Sequence, residues 1–227
     1  MESALTPFRF EFEMVKPLLP LLPTVFELSS GLRTRVIRET AVGSVIPDLM
    51  IGVWSGELPR YSKLNGVSRH ILAWLSTEKA AKDEEQLRDA LLLSKHALDS
   101  AISTLRRIGA IEKRDSGEIE LRPEFDISHL VRLIAIEIKL KKWRQALEQA
   151  AEYRMFADEA YVVLDGAQLE LTAEITDAFL ANGVGLLLQQ GQELSKEVPA
   201  ESAIPIPSVA RLLAVTKLRT SGPYCLA

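Results

Sequence analysis

From Leu133 to Leu140 the chain alternates strictly. Ile134, Ile136, Ile138 and Leu140 form one apolar face, while Ala135, Glu137 and Lys139 share the other. Period-two alternation predicts a strand, because successive side chains point to opposite sides of a sheet. After it come a helical run, KWRQALEQAAEYRMFA, the strand pattern EAYVVLD, a second helical run, QLELTAEITDAFLANG, and the strand pattern GVGLLLQQG, ahead of a proline-rich tail. Strand and helix in alternation predict parallel pairing with right-handed crossovers. Upstream, residues 9–22 carry a patchy helical pattern broken by Pro17 and Pro20, and GLRTRVIRETAVGSVIPDLMIGVW reads as a β-hairpin of residues 33–41 and 45–54. These elements predict an α/β fold whose mixed sheet has about five strands flanked by helices.

Between the two strand-rich parts, residues 66–124 are helical in character. SRHILAWLS, DEEQLRDALLLS and KHALDSAISTLRRIGA are followed by IEKRDSGEIELRP, with a turn at Asp115–Gly117. Three helices and a small hairpin resemble a winged helix. Ser94 is placed to cap the third helix, and Leu98, Ala101, Ile102, Leu105 and Ile108 form its core stripe up to Gly109. The expected organisation is therefore residues 1–65 and 125–227 as one α/β unit and 66–124 as an inserted, mainly α domain.

A chain of 227 residues, 47% apolar and 26% charged, is ordinary for a globular protein and excludes disorder and fibres. Cys225, the single cysteine, excludes a disulfide framework and a CxxC zinc pattern, which points to a reducing compartment. No stretch is apolar enough for a membrane span and the N-terminus lacks a signal-peptide pattern, so a cytoplasmic location is expected. A net charge of −4 means that DNA contact would need a local basic patch.

Candidate chemistry lies on the acidic face of the 133–140 strand. If that strand pairs antiparallel with the one at 46–54, Asp48 falls opposite Glu137, and the hairpin brings Glu39 alongside. Carboxylates this close repel each other unless a cation intervenes, and Mg²⁺ prefers hard oxygen ligands while leaving positions open for water and phosphate. Lys139, beside Glu137, could neutralise charge or position a nucleophile.

Asp48 in IPDLMIG, then Glu137-x-Lys139 on a strand, then Gln149 and Tyr153 spaced Q-x-x-x-Y on a helix, resemble the PD-(D/E)XK nuclease superfamily. The resemblance covers roughly residues 9–57 and 130–190. It implies a restriction-endonuclease-like fold and cleavage of DNA with Mg²⁺ (or Mn²⁺). It also implies that Asp48, Glu137 and the Ile138 carbonyl bind the metal, Lys139 aids the nucleophile, and Gln149 and Tyr153 steady the site. Glu39 is a further candidate acid, with Glu11 or Glu13 as competitors. The inserted segment departs from the family, which commonly joins the two strands by a short turn.

The cluster KLKKWR supplies a basic patch in Lys141, Lys142 and Arg144 next to the proposed site. On the inserted segment Lys95, Arg107, Lys113 and Arg114 would be the DNA contacts. Residues 66–124 hold ten Lys and Arg against eleven Asp and Glu, however, so a protein partner is an alternative for this surface. The rival function is a winged-helix DNA-binding regulator or adaptor without catalysis. The oligomeric state is open, a dimer among the options.

Overall fold

The computed structural model describes residues 7–28, 31–59, 64–81, 83–203 and 208–220; Cys225 lies outside them. Helix α1 (Glu11–Leu18) passes through a 3-10 turn into the single turn α2 (Leu22–Val25). Strands β1 (Arg33–Arg38) and β2 (Leu49–Trp54) follow. Then come α3 (Gly66–Glu78), β3 (Ala80–Ala81), α4 (Glu84–Ala90), α5 (Lys95–Arg107), β4 (Ile111–Lys113) and β5 (Ile119–Leu121). The chain returns in β6 (Leu130–Lys139), α6 (Trp143–Tyr153), β7 (Glu159–Asp165), α7 (Ala173–Asn182), β8 (Gly185–Gln190), β9 (Glu193–Val198) and α8 (Val209–Thr220). No helix among the described residues is long and apolar enough to cross a membrane.

The α/β class is as expected, but the main sheet has six strands, ordered β1-β2-β6-β7-β8-β9. β6 pairs antiparallel with β2 and parallel with β7, and β7 pairs parallel with β8. The sixth strand, β9, closes a hairpin on β8, where the sequence reading placed only a tail. That tail also folds into α8. The helical run at 9–22 is interrupted, because Pro17 and Pro20 each lack the amide a continuous helix needs. The first hairpin's strands are shorter than expected, with a bridge between Val42 and Val45 near its tip. α7 starts at Ala173, behind the cap in which the Thr172 hydroxyl accepts from the Ile175 amide at 3.4 Å.

The two faces of β6 explain the layers. Ile134, Ile136 and Ile138 bury against Met14, Leu18 and Leu22 of the N-terminal helices, together with Tyr161 and Val163. Leu133 and Ala135 bury on the opposite face in a second cluster with Ala146 and Ala150 of α6, Phe179 of α7 and Leu212 and Leu218 of α8. That second cluster continues without a break into Ile71, Leu75, Leu98 and Leu105 of the segment between β2 and β6. The segment forms three helices with their own small sheet, ordered β3-β5-β4, yet it shares its core with the main sheet.

α8 lies close over β2. A Cβ at Gly52 would stand 2.4 Å from Leu218 Cδ1 and 2.9 Å from Cδ2. Arg35 of β1 fixes the end of the helix by donating to the carbonyls of Leu218 and Arg219 at 2.5 and 3.0 Å, a favourable place for a cation. Gly52→Val should therefore overpack this seam and lower stability by about 1–3 kcal/mol. Urea melts of the two proteins test this; identical midpoints would mean that α8 is not seated there.

Candidate active site

Register builds the site. Leu49 pairs with Ile136 and Met50 with Ala135, so continuing the ladder by one residue sets Asp48 opposite Glu137, as the sequence predicts. Asp48 Oδ2 accepts from the Ile138 amide at 2.7 Å. Within a strand the amide and carbonyl of one residue face the same neighbour, so the Ile138 carbonyl also faces the Asp48 side.

Glu137 is 2% exposed, and both of its oxygens accept hydrogen bonds. Lys139 Nζ donates to Oε1 at 2.6 Å and the Tyr153 hydroxyl to Oε2 at 2.5 Å. Burial and the neighbouring Glu137 charge push the Asp48 carboxyl up to about 6. Burial alone would lower the Lys139 pKa, but the hydrogen bond and charge of Glu137, helped by Asp48 and Glu11, raise it instead. Lys139 therefore stays an ammonium at neutral pH. Burial and then Glu137 raise Tyr153, which remains a hydroxyl donor.

A cleft of about 490 Å³ opens beside Asp48 and Ile138, lined also by Arg9, Phe10, Glu11, Phe12, Arg38 and Glu39. Glu39 donates its amide to the Asp48 carbonyl at 3.1 Å, so the hairpin does bring it alongside. Its side chain, however, is 72% exposed and pairs with Arg38 at 3.7 Å, which puts Glu39 on the rim. Glu11 reaches further in, 3.8 Å from Lys139 Nζ. Glu13 instead caps its own helix by accepting from the Arg9 and Phe10 amides. Gln149 Oε1 is buried with no hydrogen-bond partner and lies near Tyr153 and the tip of the first hairpin.

The basic residues divide. Lys141, Lys142 and Arg144 are exposed where β6 runs into α6; Arg144 also sits 4.2 Å over the Trp143 ring and pairs with Glu174. Lys95 and Arg107 are exposed on α5. Lys113 pairs with Glu84 at 3.0 Å and Arg114 with Glu120 at 2.8 Å, so these two are partly neutralised by their own segment. Surface pairs of this kind are weak and exchange readily.

Arg9, Phe10, Phe12 and Arg38 escaped the sequence reading. The only trace of the aromatics was the alternation FRFEF, a strand-like period in a segment that begins a helix. Asp165, fully buried at the end of β7 and accepting from the Phe8 amide at 2.9 Å, left no trace at all.

The donor set suits a hard divalent cation: two carboxylates and a carbonyl edge. A carboxylate offers about four lone-pair sites, so Glu137 can ligate while keeping its two present donors. No group of three His, Cys, Asp or Glu side chains among the described residues is arranged to hold a metal, so water or phosphate would have to complete the shell.

The perturbed Asp48 makes a prediction for the metal-free protein. Its folded pKa, about 6, lies above the ordinary aspartate value of 3.8, so the folded state binds more protons between these values. Stability is then lost as pH rises through that window. Asp48→Asn removes the loss and should gain on the wild type by about 1–2 kcal/mol between pH 4 and pH 7, after allowance for solvent screening. Urea melts in chelator at the two pH values measure this, and parallel curves would show an unperturbed carboxyl.

No family model and no curated protein matches the chain. Among solved structures, a protein of unknown function from Silicibacter pomeroyi is similar at 20% identity over 51% of this chain and 76% of that one, with a TM-score of 0.30.

Proposed function

We propose that this chain is a metal-dependent deoxyribonuclease of the PD-(D/E)XK type, hydrolysing DNA phosphodiester bonds with Mg²⁺ or Mn²⁺ in DNA repair or in defence against foreign DNA. One observation carries the reading. Asp48 and Glu137 fall opposite each other where the paired strands continue, the Ile138 amide donates to Asp48, and Lys139 donates to Glu137.

In this reading Asp48, Glu137 and the Ile138 carbonyl would hold the ion. A bound divalent cation supplies Lewis acidity toward the phosphoryl oxygens and lowers the pKa of the attacking water. Lys139, held protonated, orients that water or offsets charge developing on phosphorus rather than acting as a base. Tyr153 fixes the Glu137 carboxylate, and the unpartnered Gln149 Oε1 stands ready to accept from the hairpin or substrate beside it. Lys141, Lys142 and Arg144 offer contacts to the phosphate backbone.

A second reading rests on the same cluster. Glu137 is satisfied by Lys139 and Tyr153 without an ion, as an inactive member of the fold would be. In this second reading the three helices and small sheet of residues 66–124, with Lys95 and Arg107 exposed on α5, would serve as a winged helix, which suits a DNA-binding or protein-binding adaptor.

Incubating the protein with single-stranded, duplex, flapped and nicked DNA in Mg²⁺, Mn²⁺ or chelator separates the two. Cleavage with metal alone is expected. A metal-independent shift of duplex with no cutting across the panel would replace the nuclease by the adaptor.

A further inference from the structure

Two phenylalanines face solvent at the cleft. Phe10 and Phe12 are 57% and 68% exposed, and their rings stack with centroids 5.5 Å apart and planes at 11°. A lone exposed apolar side chain calls for no explanation, but this pair is fixed in place from both sides. The Phe8 amide donates to Asp165 Oδ2 at 2.9 Å, and its carbonyl accepts from Gln168 Nε2 at 2.7 Å. Glu13 accepts from the Arg9 and Phe10 amides at 2.8 and 3.2 Å. The backbone carrying the rings is therefore set before anything binds, which lowers the ordering cost of a ligand laid against them.

We infer that Phe10 and Phe12 form a stacking platform for unpaired bases, so that the nuclease proposed above, on which this inference rests, takes single-stranded DNA or an unpaired end rather than intact duplex. In a duplex the base faces are covered by their neighbours, whereas every unpaired base presents a π face to an aromatic ring. The rings and Asp48 line one cleft, whose 490 Å³ falls within the usual size of a small-ligand pocket, about 300–1,000 Å³. Charge points the same way. Arg9 and Arg38 line this cleft together with Glu11, Glu39 and Asp48, one acid more than base, so the lining alone does not attract a phosphate chain. Stacking then supplies the part of the affinity that salt does not screen.

The test is fluorescence anisotropy in Mg²⁺ at two salt concentrations, with phosphorothioate probes that resist cutting: an oligothymidylate, an abasic strand of equal length and a duplex whose ends are closed by abasic linkers. The wild type should bind the oligothymidylate about tenfold tighter than the abasic strand or the duplex, a preference kept at the higher salt. Phe10→Ala/Phe12→Ala should lose the preference, and Phe10→Trp/Phe12→Trp should keep it, with circular dichroism melts showing both folded. Equal affinity for the thymidylate and abasic strands, no binding of any probe, or an intact preference in the alanine pair would overturn the inference. Cleavage without base preference would overturn this inference alone, whereas base preference without cleavage on the wider panel would overturn the nuclease reading and leave the platform standing.

Discussion

Asp48→Asn should cut DNA at least about a hundredfold more slowly than the wild type in Mg²⁺ while melting no lower than it in chelator. The asparagine carbonyl still accepts from the Ile138 amide, so the backbone contact at 2.7 Å survives, but a neutral amide oxygen lacks the charge of the carboxylate it replaces and holds a hard cation more weakly. Losing one preorganised charge-stabilising group typically costs about 10²–10³ in rate. Glu137→Gln should fall at least as far, because in the proposed site its side chain would serve the metal as well as Lys139. Lys139→Ala should fall too, and should also leave Glu137 without the ammonium 2.6 Å away. The measurement is initial cleavage rate against metal concentration, beside thermal melts with and without metal. Mg²⁺ should raise the wild-type melting temperature by mass action, and the Asp48 variant should lose most of that rise. Undiminished cutting by the Glu137 variant would sink the site.

The largest effect on stability belongs to Arg211, far from this chemistry in sequence. It is 5% exposed, donates to the Phe156 carbonyl at 2.8 Å and to Asp158 Oδ2 at 3.0 Å, and so ties α8 to the turn ahead of β7. The same Asp158 oxygen accepts from the Leu133 amide at 2.6 Å. Burial raises the Asp158 pKa even with Arg211 opposing it, so an Asp158 stripped of its partner is a buried, uncompensated charge. Arg211→Met should cost about 3–5 kcal/mol, the usual penalty for breaking such a pair. Adding Asp158→Asn to it should recover part of that loss, since the amide oxygen can still accept from Leu133. A double-mutant cycle in urea gives the coupling; additive losses would show that the pair does not act as a unit.

Legibility followed locality. The faces of β6 could be read because its alternation is local, and the register of Asp48 against Glu137 followed from those faces plus one assumption, antiparallel pairing. The Q-x-x-x-Y spacing set Gln149 and Tyr153 on one face of α6, and Tyr153 does reach Glu137. β9 was missed because ELSKEV is an edge strand with one buried residue, Val198, and so carries no alternating apolar signal. α8 was missed because its apolar positions follow a run of prolines that suggests a tail. The aromatic side of the cleft's rim was not readable: Phe8 is fixed by Asp165 and Gln168 from the opposite end of the fold, and no spacing along a chain announces a contact of that kind. Glu39 was half right, since hairpin geometry fixes where its backbone goes, while the positive φ of 43° and Arg38 decide where its carboxylate goes.

The pairing of β2 with β6 also sets a problem of folding kinetics. The two strands that carry Asp48 and Glu137 are separated by about 75 residues, and bringing the ends of so long a flexible loop together costs entropy before any ladder bond forms. The intervening helices are built from local contacts and can form first. The Ser55 amide then bonds the His129 carbonyl at 3.0 Å across the neck of the segment, which converts the long loop into a short one. If residues 66–124 clamp the centre of the sheet in this way, a core mutation there, such as Leu105→Ala, should slow refolding of the whole chain in stopped-flow experiments, with the Asp48–Glu137 pair assembling only after the clamp has closed; an unchanged refolding rate would show that the segment forms late.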